Sequence, residues 1–139
     1  MSEDKKNPQM DIADLPSDLR FNADGLIPAI AQQFDTGEVL MMAWMNAQSL
    51  AKTLQDGRVV YWSRSRQSLW RKGDTSGHIQ RLMSCHFDCD GDTLLLLVDQ
   101  KGAACHEGTR TCYTDQIEKD GKGARNDTLA PIGRGINPA

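Results

Sequence analysis

The chain has 139 residues, of which 39% are hydrophobic and 25% charged, and its formal net charge is −3. This length fits one domain with its own core, and the composition is that of an ordinary globular protein. No apolar run approaches the ~20 residues of a membrane span, and the polar start lacks the hydrophobic region of a signal peptide, so we expect a cytoplasmic protein with no membrane partner.

The first half of the chain predicts two strands and a helix. Residues 1–17 are polar and predict a flexible N-terminal arm. Apolar runs over 27–34 and 38–44 are separated by Asp35-Thr36-Gly37, which predicts a hairpin. Asn46 can cap a short helix that ends at Gly57 and carries its apolar residues on one face.

The second half predicts further strands around a long loop. A strand over 59–62 precedes a Ser-, Gly- and Arg-rich loop over 63–78, and an alternating strand over 79–87 follows. The Asp90-Gly91 pair indicates a tight turn before a buried strand over 94–98. The pattern predicts an α+β fold, with a mainly antiparallel sheet, one or two short helices, a domain over 18–119 and a flexible tail over 120–139.

Charge is distributed unevenly along the chain. Residues 58–82 contain six basic residues and one acidic residue, whereas the segments before and after them are acidic. A compact basic segment in an acidic protein suits a small anion better than a long nucleic acid. We therefore expect a small-molecule ligand and no nucleic-acid partner, although a solvated loop has the same composition.

Three aspartates alternate in the sequence DCDGD, at Asp88, Asp90 and Asp92. An EF-hand loop requires glycine at its sixth position, where this chain has Thr93, and a helix rather than a strand must follow. The EF-hand interpretation is therefore excluded. Two interpretations stay open: the three carboxylates converge on a hard divalent cation, or they form a polar hairpin tip.

Three of the four cysteines follow the spacing C-x15-C-x6-C, at Cys89, Cys105 and Cys112. Three thiolates with one open position are typical of a catalytic zinc that holds water. Cys85 is on the same strand as Cys89 but about 13 Å from it along that strand, too far to share an ion. The alternative is that the three cysteines are unrelated buried thiols, since cysteine is among the most buried residue types.

The basic loop has the composition of a phosphate-binding segment. Arginine presents a planar fork to phosphate oxygens, and Ser and Gly allow backbone N–H groups to approach them. Trp70 either stacks on a base or sugar or is buried in the sheet. Zinc, a hard-cation site and a phosphate loop together indicate hydrolysis of a phosphorylated small molecule.

Three motifs resemble the phosphoribosyl-AMP cyclohydrolase family of histidine biosynthesis: SRSRxxLWxKGxTSGHxQ from Ser63, DCDGDTLL from Asp88 and ACHEGTRTC from Ala104. The resemblance covers Phe21 to Tyr113. Glu107 stands where a small hydroxyl residue is more usual, and Tyr113 where Phe is expected. The pyrophosphohydrolase domain of bifunctional relatives is not found, so a monofunctional form is expected.

The resemblance implies an intertwined homodimer with one Zn²⁺ and one Mg²⁺ per subunit. Cys89 of one subunit would bind zinc with Cys105 and Cys112 of the other, and Asp88, Asp90 and Asp92 would bind magnesium. The implied reaction is zinc-dependent hydrolysis of the N1–C6 bond of phosphoribosyl-AMP, with His106 as the candidate for proton transfer or for orienting Cys105 or water. The expected substrate-binding residues are Ser63, Arg64, Ser65, Arg66, Trp70, Lys72, Gly73, Ser76, Gly77 and His78.

Two other classes of protein remain open from the residues alone. A non-catalytic zinc-stabilised nucleotide-binding module would have the same loop and thiols but no turnover. A thiol redox protein would use Cys105 and Cys112, although six intervening residues are poor spacing for a reactive pair.

Overall fold

The computed structural model describes residues 10–125. The predicted flexible arm and tail therefore lie partly outside the described residues, at 1–9 and 126–139. The elements, in chain order, are a 3-10 turn Ile12–Asp14, β1 Leu26–Gln33, β2 Val39–Asn46, α1 Ala47–Asp56, β3 Val60–Ser63, β4 Ser68–Arg71, β5 Gln80–Phe87, β6 Leu94–Gln100, β7 Asp115–Ile117 and β8 Gly123–Arg125.

Six strands form one mixed sheet in the order β4-β3-β2-β1-β6-β5, and β7 and β8 form a separate hairpin. The neighbouring pairs of the six-stranded sheet are antiparallel except β1 and β6, which are parallel. A parallel pair needs a long crossover, and here β2, α1, β3, β4 and β5 all intervene along the chain. The α+β class with a mainly antiparallel sheet is confirmed, with this parallel pair as an addition.

The sheet curls until β5 meets the segment that precedes β3. The Val59 N–H donates to the Gln80 carbonyl at 3.0 Å, and the Leu82 N–H donates to the Gly57 carbonyl at 2.9 Å. Side chains that alternate inward along the strands fill the interior. The fully buried members with the largest apolar side chains are Ile27, Leu40, Met45, Tyr61, Leu94, Leu96 and Val98.

Helix α1 has the ends that its sequence predicts. The Ser49 N–H donates to the Asn46 side chain at 2.8 Å, and the Ser49 hydroxyl accepts from the Asn46 N–H at 3.0 Å. Gly57 ends the helix with φ 73°, a left-handed conformation that glycine adopts without steric cost, and its N–H donates to the Thr53 carbonyl. Leu50 and Ala51 are buried against the sheet.

The prediction of one continuous loop over 63–78 is wrong in its middle. Ser68–Arg71 is strand β4, which pairs with β3 and places Leu69 opposite Trp62 and Trp70 opposite Tyr61. The Trp70 and Tyr61 ring centroids are 5.1 Å apart. Four residues are too few to show a strand period among polar neighbours, and aromatic packing across the pair stabilises the strand.

Candidate functional site

The three aspartates lie in the tip of the β5–β6 hairpin. The Gly91 N–H donates to the Asp88 carbonyl at 2.9 Å, and the Asp92 N–H donates to the Asp88 side chain at 3.0 Å. This tight turn brings one carboxylate oxygen from each aspartate within 4.8 Å of the others. All three side chains are exposed, so the turn offers a hard cation several oxygen ligands on the protein surface.

A segment that precedes β1 holds this turn in place. The Arg20 N–H donates to the Gly91 carbonyl at 2.7 Å, and a Cβ added at Gly91 would lie 2.3 Å from the Asp18 carbonyl oxygen. Cys89 is exposed beside the turn, with its Sγ 4.0 Å from an Asp90 carboxylate oxygen. The turn borders an open cavity of about 480 Å³, lined by Ser17, Asp18, Arg20, Phe87, Cys89, Asp90 and Gly91.

Cys105 and Cys112 are brought together by the loop that follows β6. The Cys105 N–H donates to the Thr109 carbonyl at 3.2 Å, which closes the loop, and the Cys112 N–H donates to the Leu40 carbonyl of β2 at 2.7 Å. Partial burial of its sulfur, together with the charge and hydrogen bond of the neighbouring Cys105, raises the pKa of Cys112 to about 11. The two neighbouring thiols form a soft donor pair that is suited to zinc.

Lys72 extends from the end of β4 to this pair of thiols. Its Nζ donates to the Ala104 carbonyl at 2.6 Å and lies 5.6 Å from the centroid of the Trp70 ring. Burial lowers the pKa of Lys72, and the charges of Cys112 and Cys105 oppose that effect. The ammonium group therefore lies next to the thiols, and its charge favours the ionised form of Cys112.

Cys89, the third cysteine of the predicted zinc site, lies at the opposite end of the β5–β6 hairpin from Cys105 and Cys112. Cys89 is in the tip, whereas the loop with Cys105 follows the open end, where Gln80 pairs with Gln100. The eight residues of β5 extend about 23 Å. Among residues 10–125, the three cysteines do not meet in any group of ligand atoms within 4.8 Å.

The predicted substrate-binding residues fall into two groups, one at each end of β4. Ser63, Arg64, Ser65 and Arg66 form the β3–β4 turn, in which the Arg66 N–H donates to Ser63 Oγ at 3.2 Å. Lys72, Gly73, Ser76, Gly77 and His78 follow β4 and lie on the side of the thiol pair. Trp70, in β4, is half-buried against Tyr61.

Ion pairs neutralise part of the basic segment. Arg58 and Arg71 both contact Asp74, at 3.2 and 3.0 Å. In the described part of the chain, Arg64 and Arg66 have no acidic partner, and the Arg64 guanidinium lies 4.9 Å from the centroid of the Trp44 ring. The β3–β4 turn thus carries two arginines whose charge no described acid neutralises.

The three histidines differ in their surroundings. His106 is exposed in the turn closed by the Gly108 N–H and the Cys105 carbonyl, and its imidazole has no hydrogen-bond partner within residues 10–125. The His78 ring lies against Gly102, where an added Cβ would come within 2.8 Å of it. His86 pairs with Ser84 through its Nε2 at 2.9 Å.

The structure also shows functional neighbours that the sequence did not indicate. Arg110 anchors the thiol loop to the sheet, Arg20 holds the aspartate turn, and Trp44 stacks with Arg64. The position of Arg110 within the ACHEGTRTC motif is the one feature of the sequence that points to it, because its partners Gln33 and Glu38 are far away in sequence. Cys85 is half-buried against the core, and burial raises its pKa.

Comparison with known proteins covers the aspartate turn, the thiol pair and the basic segment in one match. A family model described as phosphoribosyl-AMP cyclohydrolase matches residues 41–114. The chain belongs to the phosphoribosyl-AMP cyclohydrolase family. Every predicted metal, substrate and proton-transfer residue lies inside the matched range, between Ser63 and Cys112.

Curated relatives carry the same family name. The phosphoribosyl-AMP cyclohydrolase of Rhodospirillum centenum is 63% identical over 116 residues, which cover 84% of this chain and 82% of the relative. Those of Acidiphilium cryptum and Micrococcus luteus are 66% and 67% identical, covering 73% of this chain and 88% and 80% of the relatives. The chain is thus a member of an enzyme family. Across residues 10–125, no helix has both the length and the apolar character required to cross a bilayer.

Proposed function

We propose that this chain hydrolyses the N1–C6 bond of the adenine ring in phosphoribosyl-AMP, giving the phosphoribosylformimino carboxamide ribotide intermediate of histidine biosynthesis. The observation that carries the proposal is the family match over residues 41–114, which contains the thiol pair, the aspartate turn and the basic turn. The names of the relatives support the same substrate.

The proposed zinc site takes Cys105 and Cys112 from one subunit and Cys89 from a second. The adjacent thiols fit zinc by their donor chemistry, and the neighbouring Lys72 offsets part of the negative charge of their ionised forms. The position of Cys89 at the far end of the hairpin supports a site shared between two chains, because one chain offers only two of the three thiols at one place.

The proposed magnesium site consists of Asp88, Asp90 and Asp92. Their exposed carboxylates suit a hard cation that keeps several waters and is bound through few protein ligands. Cys89 lies within the same turn, so a subunit that supplies this thiol to the zinc site also brings its aspartates close to that site. Magnesium there would be near the substrate phosphates.

Zinc held by the three thiolates would lower the pKa of water toward 7 and supply a nucleophile near neutral pH. The protein groups then have separate roles around the adenine ring. Substitution at N1 leaves C6 electron-poor; the oxygen of water bonds to C6, the N1–C6 bond breaks, and a proton goes to N1. His106 is the proposed group for that proton, since it follows Cys105 directly in the chain and its exposed imidazole can act as a general acid.

The two groups of substrate-binding residues fit a substrate with two phosphates. Arg64 and Arg66 offer guanidinium groups in the β3–β4 turn, where no acid among the described residues neutralises them. The segment from Lys72 to His78 lies beside the thiols and would contact the part of the substrate near the ring that opens.

Incubation of phosphoribosyl-AMP with the purified chain tests the proposal. We expect the absorbance of the intact purine to be lost as the ring opens, and protein stripped of zinc to be inactive until zinc returns. A non-catalytic nucleotide-binding module would bind phosphoribosyl-AMP without changing its absorbance. Binding without turnover by fully metal-loaded protein would therefore contradict the proposed function and favour that alternative.

A further inference from the structure

We infer that Arg110 is a positioning residue that sets the spacing of Cys105 and Cys112 for metal binding. This inference rests on the proposed zinc site. It starts from the position of Arg110 between the two thiols in sequence and from its contacts with the end of the sheet.

The Arg110 guanidinium makes four hydrogen bonds, two to the β1–β2 hairpin and two to the chain at the end of β6. Its Nε donates to Glu38 Oε1 at 3.0 Å, and its Nη2 donates to Gln33 Oε1 at 2.8 Å. Its Nη1 donates to the carbonyl oxygens of Gln100 and Gly102, at 2.9 and 2.8 Å. One planar group therefore joins the β1–β2 hairpin to the start of the thiol loop.

The acceptors of Arg110 are themselves fixed. Glu38 is 6% exposed, so its carboxylate is largely removed from water and depends on the guanidinium for a charged partner. Gln33 Oε1 also accepts from the Gln100 N–H at 2.9 Å. The planar fork of arginine matches these diverging acceptors, whereas a lysine would offer one compact ammonium group.

The two thiols depend on different anchors. Cys112 is fixed by its own N–H bond to Leu40 and by the neighbouring Thr111 hydroxyl, which donates to the Val39 carbonyl at 2.8 Å. Within residues 10–125, Cys105 has no such bond to the sheet. Its neighbours are held by the bonds of Arg110 to Gly102 and Gln100, by the Ala104 N–H bond to the Arg110 carbonyl and by the Lys72 bond to the Ala104 carbonyl. Loss of the guanidinium should therefore loosen Cys105 relative to Cys112.

The test compares the zinc affinities of Arg110→Gln, Arg110→Lys and the control Arg81→Gln in the full chain. Arg81 is an exposed arginine of β5 that has no place in the proposed site. Affinity is measured by competition with a chromophoric chelator under reducing conditions, and the cobalt-substituted spectrum reports the thiolate geometry. We expect zinc binding to weaken about tenfold or more in Arg110→Gln, as for other groups that orient metal ligands, and to stay within about twofold in Arg81→Gln, whose side chain touches no ligand.

The outcomes separate this inference from the proposed zinc site. A wild-type chain that binds no zinc overturns the metal site and the inference with it. A wild-type chain that binds zinc, with a folded Arg110→Gln of equal affinity and an unchanged cobalt spectrum, overturns the inference alone. If Arg110→Gln does not fold, Arg110→Lys decides: its ammonium group keeps a charged partner for buried Glu38 but cannot span all four acceptors, so weaker zinc binding supports the inference and unchanged binding overturns it.

Discussion

Replacing Gly91 by alanine should damage the aspartate turn more than the same replacement damages the end of α1 at Gly57. The two glycines have almost the same backbone conformation, with φ 74° and 73°. They differ in the space around the missing side chain: a Cβ at Gly57 has nothing within 4 Å, whereas a Cβ at Gly91 would lie 2.3 Å from the Asp18 carbonyl oxygen. The pair of variants therefore separates backbone strain from steric contact.

The expected losses of stability follow from these two geometries. The left-handed conformation costs alanine about 1 kcal/mol at either site. At Gly91 the contact must also push Asp18 away and weaken the bond of 2.7 Å from the Arg20 N–H to the Gly91 carbonyl, which adds about 1 kcal/mol or more. We expect the free energy of unfolding to fall by about 1 kcal/mol in Gly57→Ala and by at least about 2 kcal/mol in Gly91→Ala.

Urea denaturation measures both losses, and magnesium titration of the activity measures the effect on the site. Gly91→Ala should need more magnesium for half-maximal activity, because the displaced turn carries Asp88, Asp90 and Asp92. Gly57→Ala should keep the wild-type requirement. Equal losses of stability in the two variants, with equal magnesium requirements, would refute the view that Asp18 and Arg20 hold the turn in place.

Three further predictions concern the two metals and the core. Cys112→Ser should abolish activity and lower the zinc content, while Cys85→Ser should leave both nearly intact. An equal loss of zinc in the two variants, measured by metal analysis, would mean that the zinc ligands are wrongly assigned. Asp90→Asn should raise the magnesium requirement with zinc still bound; an emptied zinc site with an unchanged magnesium response would contradict the assignment of that carboxylate. Tyr61→Phe removes the hydroxyl that donates to buried Gln80 at 2.7 Å. The free energy of unfolding, measured by urea denaturation, should therefore fall by about 1–2 kcal/mol. Unchanged stability would show that Gln80 finds another partner.

Local signals in the sequence predict much of the fold. The helix that begins after Asn46 and ends at Gly57 is defined by its own caps, and the β1–β2 hairpin by its turn residues. The parallel pairing of β1 with β6 joins strands that are far apart in the chain, and no local period encodes which strand lies beside which. Strand β4 depends on the packing of Trp70 against Tyr61, which is also a tertiary contact.

In the candidate site, too, local features are predictable from the sequence and tertiary contacts are not. The tight turn that carries Asp88, Asp90 and Asp92 is predictable because it is local, and convergence of the three carboxylates is one of the two interpretations that the sequence leaves open. The anchoring of the thiol loop is not predictable in this way, since Arg110 binds Gln33 and Glu38 from the opposite part of the chain. The spacing of the cysteines likewise gives no indication that Cys89 lies at the far end of a hairpin from the other two.

Subunit mixing tests the proposed zinc site between two chains most directly. Homodimers of Cys89→Ala and of Cys112→Ala should both be inactive, since each lacks a zinc ligand at both sites. When the two are refolded together in equal amounts, about half the dimers should be mixed, and each mixed dimer has one site with all three thiols intact. Activity should therefore recover to about a quarter of the wild-type value. A mixture that stays inactive although subunit exchange is demonstrated would contradict a site shared between chains.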